Sequence, residues 1–576
     1  MSTDQFPYYP PVLRLWEIRN PGTPYLNSYW ESYLKKDPEM LGVAICIEIF
    51  FSSDKKMYLS TDPINSKSTL DGNEYFYIPA LSYSSTLRST AKMGSAKATS
   101  RTITLKIPNQ IVDAAEFIKQ GRFLAGMAEV SLQFNGMDYA ERFILLKGTV
   151  DDGVKFDVTD GGLVEFTISD PFDSLDKNIP QDIITSNSFN HVPDSSIGMR
   201  IPIVLNGYPY VPGFYVDWDG KYYSATKAKV MGALGHNLTI NTVYRDGDVA
   251  DPASIVYGWT FLQESTSGVG FSGINCINPG ATSGDEAFYF DMSVNIPYGS
   301  NIRSDSYTFD PKTVVDMIKH ICFHYTSFSV AGIDELAFSR ASAKYCNYES
   351  KVCINASGSG STTALGFIQG GLLNDYPMIC MAYTGAGYGP VCIDRRSKLF
   401  IANYTVGQYP FIERASMVVE SAKSQVYNSF IVQYDFNAMD NTYGGIVTRN
   451  PNNNDLCNLS RDMCGERPHP VMQCSTVFSE SLAIYIADWL VTHLSLPHYY
   501  VEYDVYSSAL FDLFLGDNIL LTDSDFGWED IPATVCMVEH KRGHATIGLY
   551  LWYFYYKIDG ASSDGTITTQ SPLPDG

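Results

Sequence analysis

The reading of this chain turns on VEYDVYSSALFDLFLGDNILLTDSDFGW, residues 501–528. Apolar runs alternate there with Asp517, Asp523 and Asp525, Asp530 follows just beyond, and three letters spell DFG. The stretch could be a metal site, a kinase fragment or a hairpin with acidic turns. A kinase needs an HRD-type catalytic loop upstream and a strand lysine under a glycine-rich loop, and the chain has neither. A calcium loop opening at Asp523 needs Gly at its sixth position and Glu at its twelfth. Trp528 and Thr534 stand there instead. What remains is a β-strand with Asp517 at one end and Asp523 to Asp525 at the other, in turns where aspartate bonds its own backbone.

Outward from that strand the C-terminal sequence reads as more strands: HYYVEYDVY, ATVCMVEH and ATIGLYLWYFYY. The last carries large apolar groups on both faces, so it expects a neighbour on each side, either another domain or another chain. Before them, SESLAIYIADWLVTH places Leu482, Ile486, Trp489 and Leu490 on one helical face at i, i+4, i+7 and i+8. If that face is buried, Trp489→Ala costs about 3–5 kcal/mol. ERASMVVESAKSQVYNSFIVQYDFN reads as a short helix leading into a strand.

The N-terminal part is also β-rich. In RTITLKIP, Ile103, Leu105 and Ile107 alternate with Thr102, Thr104 and Lys106, the period of a half-buried strand. AEVSLQFNGMDYAERFILLKGTV reads as a hairpin turning at Asn135-Gly136. DGVKFDVTDGGLVEFTISDPF reads as another, turning at 160–162 and stopped by Pro171. A helix is predicted around VDAAEFIKQG. From about 180 to 305 Gly, Tyr, Asn and Ser dominate, as in a loop-rich β domain. A helix then opens at Asp310 as N-cap with Pro311 at its first position. ASGSGSTTALGF is a flexible stretch and GASSDGTITTQSPLPDG a polar tail.

Composition limits the function classes. The 576 residues exceed one core, 45% are hydrophobic and 14% aromatic, and 40 are tyrosines. The net charge is −23 and Lys and Arg are scattered, so no basic stripe exists to neutralise phosphates. The N-terminus carries no Sec-type signal pattern, and no segment has the roughly 20 apolar residues that span a bilayer. Eleven irregularly spaced cysteines fit a reducing compartment. These features point to a chain that folds in a cytoplasm.

His320 and His324 share a helical face at i, i+4, as zinc ligands can, but Ile321 replaces the glutamate of HExxH, and packed histidines are the commoner case. His540 and His544 flank Lys541-Arg542-Gly543, an expected solvated hairpin tip. Cys457, Cys464 and Cys474 with His469 between them could hold zinc or an iron–sulfur cluster, although their spacing is not that of a zinc ribbon. TGAGYGP fits neither the P-loop nor GxGxxG, and no GxSxG occurs. No catalytic, cofactor-binding or metal residue is assigned, and the chain is not expected to be an enzyme.

The order ADWL helix, Pro497 linker, strand, LGDNILLTDSDFG and final hairpin resembles bacteriophage tail-hub proteins (baseplate or tail-tip hubs). VYNSFIVQYDFN is similar to the strand that opens their second barrel. LLKGTVDDGVKFDV…VEFTISDPFDSLDKNIPQ resembles their first barrel, and GMRIPIVLNGY the entry to their inserted domain. The resemblance implies a mainly β, multidomain chain with minor α: two tail-tube-like β-barrels flanking inserted middle domains. The expected boundaries are 1–180, first barrel; 181–308, loop-rich β domain; 309–412, α+β domain; 413–560, second barrel with helix 479–494; and 561–576, tail.

The resemblance further implies a homotrimer with six barrels, joining a six-fold tail tube or distal tail ring to a three-fold spike, fibre or tape-measure protein. Such a chain belongs to the virion, assembles in the host cytoplasm and lets genomic DNA pass through its channel. Three copies at −23 carry −69, and acids lining that channel would keep DNA from sticking. The competing class is a carbohydrate-binding or polysaccharide-degrading tail spike, which acidity and tyrosine abundance fit equally; the lack of a fixed-period repeat weighs against it.

Overall fold

A computed structural model describes residues 36, 42–52, 55–68, 72–79, 82–91, 93, 102–108, 127–150, 155–157, 163–169, 175–220, 225–234, 238–254, 258–266, 269–279, 286–294, 311–326, 333–345, 347–354, 362–383, 387–395, 400–408, 411–418, 425–506, 513–541 and 544–555. The predicted helix at 112–121, the turn at 160–162, Pro171 and the tail 561–576 lie outside them.

The N-terminal strands are β1 (Val43–Ser52), β2 (Lys55–Ser60), β3 (Ile64–Lys67), β4 (Glu74–Pro79), β5 (Ser82–Thr86), β6 (Arg88–Thr90), β7 (Thr102–Pro108), β8 (Met127–Phe134), β9 (Phe143–Val150), β10 (Lys155–Asp157) and β11 (Leu163–Ser169). All but β6 join one sheet, in the order β3-β4-β2-β1-β8-β9-β11-β7-β5 with β10 on β11. Alternation sets its faces. Ile45, Ile47 and Ile49 of β1 enter the main core, and Ala44, Cys46 and Glu48 point to the other side, where Tyr75, Tyr77 and Tyr139 cover them. On β7, Ile103, Leu105 and Ile107 are buried as their period predicts.

β8 and β9 pair antiparallel, as expected. Their connection is longer than a two-residue turn, however: only Gly136 has positive φ, and Asp138 caps a 3-10 turn at Tyr139–Glu141. Gly148 is required where β9 crosses β11, since a Cβ there would lie 2.1 Å from the Ser169 carbonyl oxygen.

The middle of the chain supplies β12 (Asn178–Ile179), β13 (Ile203–Leu205), β14 (Tyr208–Trp218), β15 (Ala228–Leu234), β16 (Leu238–Arg245), β17 (Asp248–Val249), β18 (Trp259–Thr266), β19 (Val269–Cys276) and β20 (Phe288–Val294). The last seven form a separate sheet, ordered β17-β16-β20-β14-β15-β19-β18, with its own core around Val211, Phe290 and Met292. Helices α1 (Val314–His324) and α2 (Glu335–Tyr345) follow. The cap of α1 is Thr313 rather than the predicted Asp310: Thr313 and Asp316 form a reciprocal capping box, which satisfies two otherwise orphaned N–H groups.

Next come β21 (Val352–Ile354), β22 (Thr362–Thr363), β23 (Ile379–Tyr383), β24 (Tyr388–Cys392), β25 (Phe400–Thr405), β26 (Phe411–Val418), β27 (Phe430–Asn437), β28 (Thr442–Arg449), α3 (Asp455–Cys464), β29 (Met472–Gln473), α4 (Glu480–Leu494), β30 (Tyr499–Tyr506), β31 (Asn518–Asp523), β32 (Trp528–His540) and β33 (His544–Leu551). The segment predicted as a helix from Glu413 is instead strand β26, because pairing with β30 overrides the helix propensity of Glu, Arg, Ala and Met. β27 pairs with β28 and β29 rather than with the strands that follow α4. Leu482, Ile486, Trp489 and Leu490 are buried, as predicted, in a core shared with α1 and α2.

The C-terminal sheet runs β25-β31-β32-β33-β30-β26. Its two end strands are consecutive in sequence and joined by a short turn, with Tyr404 and Phe411 rings 5.0 Å apart across it. The sheet therefore curls back on itself. As predicted, β33 is buried on both faces. Ala545, Ile547, Leu549 and Leu551 enter the main core. Tyr550 and the following Trp552 pack on Cys380, Val391 and Leu496. The fold is thus mainly β with a minor helical part, and one apolar core runs through the N-terminal and C-terminal sheets together.

Candidate functional site: the joint between the sheets

The two large sheets meet at β6 and Tyr383. β6 leaves the N-terminal sheet and pairs antiparallel with β32: Met537↔Thr90, Val538↔Ser89 and Glu539↔Arg88. Ala91 N donates to the Cys536 carbonyl at 2.7 Å and His540 N to that of Leu87 at 3.1 Å, extending the ladder at both ends. Tyr383, at the end of β23, is 1% exposed. Its carbonyl accepts from Ser89 Oγ at 2.8 Å, and its phenol oxygen accepts from the Lys147 backbone N–H at 2.8 Å. Through its phenol and its backbone carbonyl, Tyr383 thus links β9 of the first sheet to β6, the strand that enters the second. Outside, Arg88 pairs with Glu502 at 3.2 Å, an exposed contact worth little by itself.

A second buried chain fastens α4 to the C-terminal sheet through residues 393–395. Trp552 Nε1 donates to Thr534 Oγ1 (2.9 Å), Thr534 Oγ1 to Asn518 Oδ1 (2.5 Å), and Asn518 Nδ2 to the Asp394 carbonyl (3.1 Å). From the helix, Trp489 Nε1 donates to the Ile393 carbonyl at 3.0 Å. His493 Nε2 accepts from Arg395 N at 3.0 Å, so its Nδ1 carries the proton and donates to the Trp489 carbonyl at 2.8 Å. The Arg395 guanidinium lies 3.8 Å from the Tyr555 ring centroid. Every polar group of this chain finds a partner, which is what makes a buried network rigid.

A third polar cluster lies under the outer face of the first sheet. Glu48, fully buried, accepts from Tyr77 and Tyr139 hydroxyls at 2.6 Å each. Arg142 reaches Glu129 at 2.6 Å and Glu48 at 3.6 Å, and its guanidinium stacks 4.0 Å from the Tyr139 ring. Burial, with Glu129 nearby, pushes the Glu48 carboxyl pKa up, while Arg142 and the two tyrosines pull it down.

The residues singled out from sequence fall as follows. Asp517 Oδ2 accepts from Phe514 N at 3.0 Å. Asp523 caps a 3-10 turn at Ser524–Phe526, and Gly527 sits in the left-handed region. The acidic letters are turns, as read. His320 and His324 lie with their rings 4.2 Å apart and tilted by 39°, with burial pushing His320 down to about 3. His540 is not solvated: β6 covers it, and it is 6% exposed. Cys457 faces Ser495 Oγ at 4.0 Å and Cys474 faces the Asp375 carbonyl at 3.9 Å. Burial raises both thiols, Cys457 to about 11. Among the described residues no three His, Cys, Asp or Glu side chains converge as a metal site would require, and no helix is long and apolar enough to cross a membrane.

Sequence reasoning missed Tyr383, Asn518 and Asp394, since none stands in a motif. No protein-family model matches this chain, and no curated protein matches it. Among solved structures, a tail protein from Neisseria meningitidis MC58 aligns over 88% of this chain and 96% of its own, with 8% identity and a TM-score of 0.36. The 43 kDa tail protein of prophage MuSo2 from Shewanella oneidensis aligns over 88% and 98%, with 10% identity and a TM-score of 0.35. A chain from the virion of a native gene transfer agent particle aligns over 66% and 91%, with 11% identity and a TM-score of 0.42. At these TM-scores the similarity fixes neither fold nor role.

Proposed function

We propose that this chain is a structural, non-enzymatic protein of a phage-like virion: the trimeric hub of a tail tip or baseplate, joining a six-fold tube to a three-fold spike or fibre. The observation that carries this reading is the joint itself. Two extended sheets, one of them curled end to end, share one core and are fixed to each other by β6 and Tyr383. Three such chains would present six sheets to a six-fold neighbour while keeping three-fold symmetry on the other side. The sequence resemblance to hub proteins, from the ADWL helix through LGDNILLTDSDFG (487–527) and over 145–181, agrees with it. The similar solved chains are described as tail or virion proteins, and the weight rests on the architecture rather than on them. The acidic composition suits a ring through which DNA slides without binding.

The test is the solution mass by light scattering over a range of concentrations, with the same sample imaged by electron microscopy. A mass three times 64.0 kDa and rings with a central pore are expected. A monomer at every concentration that forms no ring with the tail-tube protein of the same phage would overturn the reading.

A further inference from the structure

The middle sheet has an outward face that its core does not use. Phe288, Phe290 and Met292 of β20 point into the core, so Tyr289, Asp291 and Ser293 point out. On β16, Tyr244 stands directly opposite Tyr289 and Thr242 opposite Asp291. Beside an irregularity in β14 between Tyr208 and Val211, the ring of Tyr210, which also packs against that core, lies 5.7 Å from that of Tyr244. Tyr210, Tyr244 and Tyr289 are each partly exposed.

Asp291 stands two residues from Tyr289 on the same face of β20. Burial raises the Tyr210 phenol pKa, and Tyr244, Asp435, Asp440 and Asp291 push it the same way. Asp435 is held by the β27–β28 hairpin, where it adopts φ 60° and lays its carboxylate over Gly444. Ser293 Oγ donates to Asn241 Oδ1 at 3.2 Å at the edge of the face.

We propose that this face is a binding platform for a neutral polysaccharide chain. Partly exposed tyrosine rings offer flat apolar surfaces to the C–H faces of a pyranose and a polar tip to its hydroxyls. Carboxylates and the Asn241 amide take the remaining hydroxyl hydrogens in strong, directional bonds. The acids repel nucleic acid and sulfated or sialylated glycans, so the charge selects uncharged sugar. The platform binds whether or not the chain is a hub, and it is distinct from the joint described above.

The full-length protein is probed on an array of neutral and acidic glycans, and any glycan bound is re-measured by calorimetry. At least one neutral glycan is expected to bind. Tyr244→Ala is expected to weaken it about tenfold, and the isosteric Asp291→Asn about threefold, without change in circular dichroism or melting temperature. If Tyr244→Ala does not fold, Asp291→Asn decides. Failure to bind any neutral glycan, binding confined to acidic glycans, or affinity unchanged in the folded variants overturns the proposal. So does loss of self-association in Tyr244→Ala with no glycan bound, which would make the face a contact between copies.

Discussion

The phenol oxygen of Tyr383 accepts the backbone N–H of Lys147 at 2.8 Å, across 236 residues of sequence. β9 pairs with β11 only at its far end, through Val150 and Thr149, and Tyr383 serves the strand edge before that pairing begins. Tyr383→Phe removes the acceptor while leaving the ring. Withdrawing a partner from a buried amide costs about 1–3 kcal/mol. A urea titration should show a lower midpoint with unchanged slope. An unchanged midpoint would mean that the bond does not hold the sheets together.

Arg142 stands between two buried carboxylates, Glu129 at 2.6 Å and Glu48 at 3.6 Å, with its own side chain 5% exposed. Arg142→Met keeps much of the volume but leaves both acids without their guanidinium, a change of the kind that costs about 3–5 kcal/mol. The triple variant with Glu48→Gln and Glu129→Gln should recover a large part of that loss. If the single variant melts like the wild type, the ion pair is dispensable.

Much of the β architecture was legible because burial has a period. Ile103, Leu105 and Ile107, or Leu482, Ile486 and Trp489, declare a face by spacing alone, and Asp523 declares a turn by its own chemistry. The joint was not legible. His540 reads as a hairpin tip until Leu87, 453 residues away, is laid over it. Residues 413–418 read as helix from composition, and only the partner strand β30 decides otherwise. Tyr383, Asn518 and Asp394 are ordinary letters whose roles exist only once distant segments meet. No local rule encodes such long-range pairing.

His498 is buried edge-on against Tyr550, 5.2 Å away, and close to Trp552 at 5.5 Å. Burial pushes its pKa down to about 4, from the usual 6.5. A depressed pKa means that the folded state binds fewer protons than the unfolded one between these values. The stabilisation is therefore complete above pH 6.5 and is lost as pH falls toward 4, by as much as about 3 kcal/mol. His498→Phe should flatten that part of the acid limb in melts from pH 7 to 4. His320, depressed to about 3, preserves the rest. An acid limb identical to wild type would refute the assignment.

Asp375 works with the opposite sign. It is 4% exposed and accepts from Thr476 N at 2.9 Å and Thr476 Oγ1 at 2.7 Å, tying the segment before β23 to the turn between β29 and α4. Burial lifts its pKa from 3.8 to about 7, against the pull of hydrogen bonds from Thr476 and Ser475. Cys474, Tyr376, Tyr208 and Tyr443 lie around it, all uncharged near neutrality. The folded state thus holds a proton that the unfolded state has released between pH 3.8 and 7, and stability contributed by the neutral acid is lost as pH rises through 7. Asp375→Asn keeps an acceptor for Thr476 and cannot ionise. The stability of the variant relative to wild type should climb from pH 4 to pH 8 by as much as about 4 kcal/mol. Taking the difference at each pH cancels the histidines, whose slopes are common to both proteins. A difference that stays flat across that range would show that Asp375 ionises freely in the fold.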